Sequence, residues 1–166
     1  TERADTTAPV PLVLDELTAD GSSLTILPRE ADHPPRVWQM HELHLTHVGL
    51  RDPMPFTAVV TNAVPPGEIR TNGTFGPWQP DLPGLTPLAG GFTFARADLS
   101  VFKGIAGILD STGSFQGQLN HLIADGETNT PDFRLTTSGN KVPLQTKFHA
   151  IIDGTNGDTE LAPVEA

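Results

Sequence analysis

Three histidines stand close together in His41-Glu42-Leu43-His44-Leu45-Thr46-His47, a density that invites a metal reading. A zinc-protease helix needs two His one helical turn apart around a Glu, and this run lacks that frame. The run reads as strand, where His41 and His47 point one way and His44 the other. Ligands on opposite faces do not converge, so solvated or hydrogen-bonded histidines are expected. Asp153-Gly154-Thr155-Asn156-Gly157-Asp158-Thr159 has the composition of a calcium loop. It lacks the frame and the terminal bidentate Glu such a loop requires, and an Asn-Gly hairpin connection accounts for it. Asp110-Ser111 and His121 can be drawn as a triad, but the Gly-x-Ser-x-Gly elbow is absent. Gly113-Ser114-Phe115-Gln116-Gly117 carries its Ser one position early. No pair of carboxylates stands out for glycoside chemistry. Asn72-Gly73-Thr74 has the form of a glycosylation sequon, a triplet common by chance. The expectation is a chain that is not an enzyme, with no metal site and no cofactor.

The elements that must position any site are strands. From Val142, one face reads Val142, Leu144, Thr146, Phe148, Ala150, Ile152, and the other reads Pro143, Gln145, Lys147, His149, Ile151, Asp153. Upstream, Leu109, Ser111, Gly113, Phe115, Gly117 and Leu119 alternate with Asp110, Thr112, Ser114, Gln116, Gln118 and Asn120. Period-two alternation means strands with one apolar and one wet face. Further strands are expected over 12–17, 22–28, 37–48, 54–61, 68–75 and 91–100. The pattern of 37–48 breaks near His41, and that of 91–100 slips in a way that a β-bulge near Ala95 explains. Asp20-Gly21 reads as a hairpin turn. Arg29 to Arg36 reads as a loop, and 77–90, with four prolines, as an extended one that could mark a subdivision. Turns are expected near Asn120, near Asn129 to Pro131, at Ser138-Gly139-Asn140 and at 153–158. Val101 to Ile108 is the one place for a short helical turn, weakened by Gly104 and Gly107. About eleven sequential strands with short turns imply an antiparallel meander. Thr71-Asn72-Gly73-Thr74-Phe75-Gly76 is weakly echoed by Ser111-Thr112-Gly113-Ser114-Phe115-Gln116-Gly117, each with a Phe on the glycine face.

The 166 residues suffice for one domain, 10–166, behind a polar lead, 1–9, expected to be disordered. The start at Thr1 and the end in apparent strand suggest a piece of a longer chain. No run is long and apolar enough to cross a membrane as a helix. There is no Cys, which suits either redox compartment. The formal charge of −10 argues against nucleic acid and against anionic lipid surfaces. It does not bear on acyl tails held inside a groove.

In the C-terminal half, a series of motifs follows in order. Ile105-Ala106-Gly107-Ile108-Leu109 leads to Ser111-Thr112-Gly113-Ser114-Phe115-Gln116-Gly117-Gln118-Leu119, then Asp125-Gly126-Glu127-Thr128 and Thr130-Pro131-Asp132-Phe133. Val142-Pro143-Leu144-Gln145-Thr146-Lys147-Phe148-His149-Ala150 and the 153–159 run complete it. Phe75-Gly76-Pro77-Trp78 and Thr86-Pro87-Leu88-Ala89-Gly90 lie upstream. This order resembles the C-terminal region of AsmA-like envelope proteins of Gram-negative bacteria, most clearly from Gly67 onward. The resemblance implies a periplasmic protein whose parent chain is anchored in the inner membrane by an N-terminal helix absent here. It also implies a part in outer-membrane biogenesis, the remainder of the parent chain as a partner, and an elongated β-groove for a phospholipid or other acyl-chain lipid.

The expected fold class is therefore all-β, a predominantly antiparallel, long, twisted and curled sheet forming a groove or half-barrel, with a two-sheet sandwich as the competitor. The residues expected to line the groove are Phe56, Val60, Ile69, Phe75, Phe115, Leu119, Phe133, Leu135, Leu144, Phe148 and Ile152. The competing function is a structural or adhesive β-domain with a closed core and no ligand.

Overall fold

A computed structural model describes residues 14–26, 36–49, 51–156 and 158–162. Among them the chain forms β1 (Leu14–Ile26), β2 (Arg36–Val48), β3 (Met54–Asn62), β4 (Gly67–Phe75) and β5 (Pro87–Asp98). β6 (Ile105–Ala106), β7 (Ile108–Gln118), β8 (His121–Leu135), β9 (Val142–Asp153) and β10 (Asp158–Leu161) follow. Every pairing is antiparallel, and the sheet runs β1-β2-β3-β4-β5-β7-β8-β9-β10, with β6 beside β8. The fold is all-β, one curled sheet that does not close, and among the described residues the helical content is two single 3-10 turns, Pro83–Leu85 and Leu99–Val101. The expected lead 1–9 and the loop 29–36, apart from Arg36 at the start of β2, lie outside the described residues.

Alternation in the sequence becomes one-sided burial in the sheet. Along β9 the exposed positions Gln145, Lys147 and His149 alternate with the half-buried Leu144, Thr146 and Phe148. β7 does the same from Leu109 to Gln116. The buried residues Ala58, Val60, Ser111, Ala124 and Ala150 all lie on the Phe148 side by register. We call this the inner face.

Three places depart from a regular ladder, each where the residue pattern slips. The register of β2 on β3 shifts between Met40 and Glu42, and that of β5 on β7 between Phe94 and Ala97. The register of β8 on β9 shifts between Thr130 and Phe133. A bulge leaves an N–H without a ladder partner, and beside two of these three a carboxylate accepts an N–H. The N–H of Arg96, whose φ is +56, donates to Asp110 Oδ1 at 2.8 Å, and the N–H of Ile108 donates to Asp132 Oδ1 at 2.8 Å.

Several expected turns do not occur. β1 runs straight through Asp20-Gly21, where Gly21 takes φ +63 opposite the β2 bulge. There both strands change parity, so that Ala19 pairs with Leu43 and Ser22 with Met40 on the inner face. The positive φ that suits a hairpin serves a mid-strand kink equally well. β8 likewise passes through Pro131, whose missing N–H falls inside the bulge. The expected helical turn over 101–108 is a 3-10 turn at Leu99–Val101 followed by strand. Gly107, at φ +144, leaves room only for backbone there: a Cβ would lie 2.8 Å from Thr130 Cγ2. The extended segment ends at Thr86, because β5 begins at Pro87. Thr86 is fully buried, its Oγ1 accepting the Gln79 N–H at 3.1 Å and its carbonyl the Leu119 N–H at 3.0 Å.

Candidate functional site

The inner face is built from rows that cross the strands. One row reads Phe56, Gly73, Gly90, Phe115, Ala124, Ala150 from β3 to β9. The next reads Ala58, Thr71, Phe92, Gly113, Gly126, Phe148. Each row thus contains Phe-Gly-Gly-Phe on four adjacent strands, and the second copy is displaced by two strands along the sheet. The rings lie over the glycines. A Cβ built on Gly90 would meet Phe115 Cζ at 2.9 Å, one on Gly113 would meet Phe92 Cε1 at 2.8 Å, and one on Gly126 would meet Phe148 Cζ at 2.7 Å. The sequence echo fits this arrangement, since Gly73 of β4 and Gly113 of β7 occupy equivalent places in the two rows.

Seven of the eight Phe are half-buried and Phe102 is exposed, so none is buried. The side chains that are buried on this face are largely small, such as Ala58, Ala97, Ala124 and Ala150. A closed core normally buries its aromatics and aliphatics first. Here the small residues are shielded by their larger neighbours, while the rings keep part of their surface open. The Trp38 Nε1–H on this face is buried without a hydrogen-bond partner among the described residues, whereas several hydroxyls are paired within the sheet. Thr71 Oγ1 donates to the Gly91 carbonyl and Ser111 Oγ to the Glu127 carbonyl, each at 2.9 Å, and Thr128 Oγ1 bonds Thr146 Oγ1 at 2.6 Å. A hydroxyl whose bond is made in the sheet costs little beside an apolar neighbour.

Of the expected lining residues, Phe56, Val60, Ile69, Phe75, Phe115, Leu144, Phe148 and Ile152 share the inner face by register. Phe133 keeps to it across the β8 bulge, paired with Val142. Leu135 pairs with Ile105 and is 49% exposed at the end of the sheet. Leu119 is not a strand residue, contrary to the alternation: β7 ends at Gln118, and Leu119 sits in the turn. Its N–H donates to the Thr86 carbonyl, and its carbonyl accepts the Gly154 N–H. Sequence reasoning left Leu43, Leu45, Phe92, Phe94 and Leu122 out of the lining set, although register places all five on this face.

The outer face carries pairs. Asp125 Oδ1 and His149 Nδ1 are 2.7 Å apart, and Glu127 Oε1 and Lys147 Nζ are 3.4 Å apart. His44 Nε2 lies 2.9 Å from Glu16 Oε1, at ion-pair distance but turned away from an aligned hydrogen bond. His41 Nε2 bonds Thr61 Oγ1 at 2.7 Å. The β2 bulge brings His41 to the same face as His44, where strict alternation had them on the same strand but on opposite sides. Both line a shallow open depression of about 630 Å³, and a second of about 530 Å³ lies over β7 to β9. Among the described residues no three His, Asp or Glu converge as a metal site. In the 153–158 turn the acceptors are used locally: Asp153 Oδ1 takes the Thr155 N–H and Asn156 Oδ1 the Asp158 N–H. Ser114, Asp125 and His149 pair in register across three strands, but Asp125 is in the middle. A nucleophile needs the His beside it. Asp110 and Ser111 are likewise committed, to the Arg96 N–H and the Glu127 carbonyl.

The geometry offers an extended, partly open apolar surface on one side and self-paired polar groups on the other. No family model, no curated protein and no solved structure matches the chain.

Proposed function

We propose that the inner face holds acyl chains, and that the chain is a non-enzymatic segment of a periplasmic envelope-biogenesis protein of the AsmA-like kind. The observation that carries this is the half-open state of the inner-face Phe rings on a sheet that does not close. An acyl chain laid along the Phe-Gly-Gly-Phe rows would cover the exposed ring surface by dispersion and water release, at about 25 cal/mol per Å² of apolar surface removed from water. The envelope setting comes from the ordered motifs between Gly67 and Thr159. The phospholipid is the partner proposed for the face, and the rest of the parent chain is the partner proposed for the sheet.

Organic extraction of purified protein followed by mass spectrometry tests the reading. Co-purifying phospholipid or fatty acid in wild type is expected, reduced in folded Phe148→Asp and retained in His149→Asp. Equal lipid in wild type and folded Phe148→Asp would rule the groove out at that position. A closed, ligand-free β-domain instead gives no lipid in any of the three proteins.

A further inference from the structure

At one end of the sheet three turns lie side by side: the β3–β4 turn, the segment from Leu99 to Gly104, and the β8–β9 turn. Main-chain hydrogen bonds tie them, from Asp98 N–H to the Pro66 carbonyl at 3.0 Å and from Thr136 N–H to the Gly104 carbonyl at 3.1 Å. They present Val64 at 65% exposure, Val101 at 49%, Phe102 at 40%, and, on the strands beside them, Leu135 at 49% and Val142 at 50%. Single exposed apolar residues need no explanation, but a group on adjoining turns is a patch.

The charge around this patch runs against that of the molecule. Arg96, Lys103, Arg134 and Lys141 are four of the chain's ten Lys and Arg, within a chain of formal charge −10. Among the described residues, four carboxylates lie nearby. Glu68 pairs with Arg70 and Asp132 faces Arg134, while Asp98 and Asp110 accept backbone N–H groups of Ser100 and Arg96 and keep their charge, so the four cations against Asp98, Asp110 and Asp132 leave +1 here in a chain of −10. Among the described residues no carboxylate lies within ion-pair distance of Lys103 or Lys141, and both are exposed. At the opposite end, Leu82 and Leu85 are exposed beside the acidic Asp81, with Arg51 and Asp52 on the adjoining turn and Asp158 at the start of β10.

We propose that the Val101–Phe102 end is a docking surface for an anionic phospholipid bilayer. Apolar side chains at a turn tip enter the boundary between headgroups and acyl chains, while flanking Lys ammonium groups meet lipid phosphates. The acidic bulk of the molecule is then held away from the membrane, which fixes the orientation with the strands pointing outward. This surface stands independently of what the inner face carries.

Sedimentation of the protein with vesicles of phosphatidylcholine alone, and of phosphatidylcholine mixed with phosphatidylglycerol, tests it. Binding to the mixed vesicles, falling as salt rises, is the expected result. Lys103→Gln combined with Lys141→Gln should weaken it about thirtyfold, at about fivefold per cation. Phe102→Asp should abolish it with an unchanged circular dichroism spectrum, and Leu82→Asp at the other end should leave it intact. A Phe102→Trp variant should show blue-shifted emission, quenched by lipids brominated near the headgroup. The proposal is overturned by any of four results: no binding to mixed vesicles, undiminished binding by the double Lys variant, no quenching of the new indole, or equal damage from Leu82→Asp. Absence of extracted lipid with vesicle binding intact would count against the groove reading alone.

Discussion

The two faces of the sheet share one backbone and are held in different ways. Outside, the stabilising unit is the cross-strand pair: Asp125 with His149, Glu127 with Lys147. Each such pair is exposed, screened and replaceable, worth about 1 kcal/mol at most. Inside, the unit is a shape, a Phe ring laid over the glycine of the next strand. A shape of that kind has no spare volume, so the inner face should be brittle where the outer face is tolerant.

The sharpest way to break the comparison is to fill a glycine. A Cβ on Gly73 would stand 2.0 Å from the Ala89 carbonyl oxygen, which is backbone and cannot move aside. Gly73→Val should cost about 3 kcal/mol or prevent folding, whereas Thr74→Val, on the outer side of the same strand, should shift the urea midpoint little. Next in size is Phe148→Asp, which replaces a half-buried ring with a charge and should cost about 2 kcal/mol in chemical denaturation. His149→Asp, one residue on, breaks an exposed pair and sets two carboxylates together, for less than about 1 kcal/mol. If His149→Asp proved as damaging as Phe148→Asp, the distinction between the faces would collapse.

Smaller effects sharpen the picture at the bulges. Asp110→Ala leaves the Arg96 N–H without its acceptor and should cost about 1 kcal/mol in thermal or urea unfolding, with Asp110→Asn partly restoring it. Smallest is a pH effect at Asp98. Hydrogen bonds from Ser100, its hydroxyl first and its backbone N–H second, hold the Asp98 carboxyl below the usual carboxylate range. A folded-state value lowered in this way gives stability that is present above the unfolded-state value and lost as pH falls through the folded one. The urea midpoints of wild type and Asp98→Asn should therefore differ slightly at neutral pH and converge in acid. Convergence at high pH instead would contradict the sign.

The strand lattice was legible in the sequence because one-sided burial writes itself as alternation, most cleanly in β7 and β9. The bulges beside Ala95 and His41 were legible as slips in the same pattern. Asp20-Gly21 and Pro131 misled because a turn and a mid-strand kink draw on the same backbone preferences. Phe92 and Phe94 escaped the lining set because the alternation of their strand slips just beyond them, between Phe94 and Ala97. The Phe-over-Gly contacts are invisible locally, since each depends on the register of two strands. So do the Asp110 and Asp132 carboxylates, which act on strands 14 and 24 residues away.

The strand order has a kinetic consequence. Among the described residues, apart from the two-residue β6, each strand lies beside the next strand in the chain, and no pairing joins β1 to β10. Such a sheet has no single nucleus that must draw distant segments together, so its relative contact order is low for an all-β protein. Any hairpin can form first and recruit its neighbours, as in a one-dimensional array of coupled units. Native-state opening should then proceed from the margins inward, with backbone amide exchange fastest in β1 and β10 and slowest around β5 and β7.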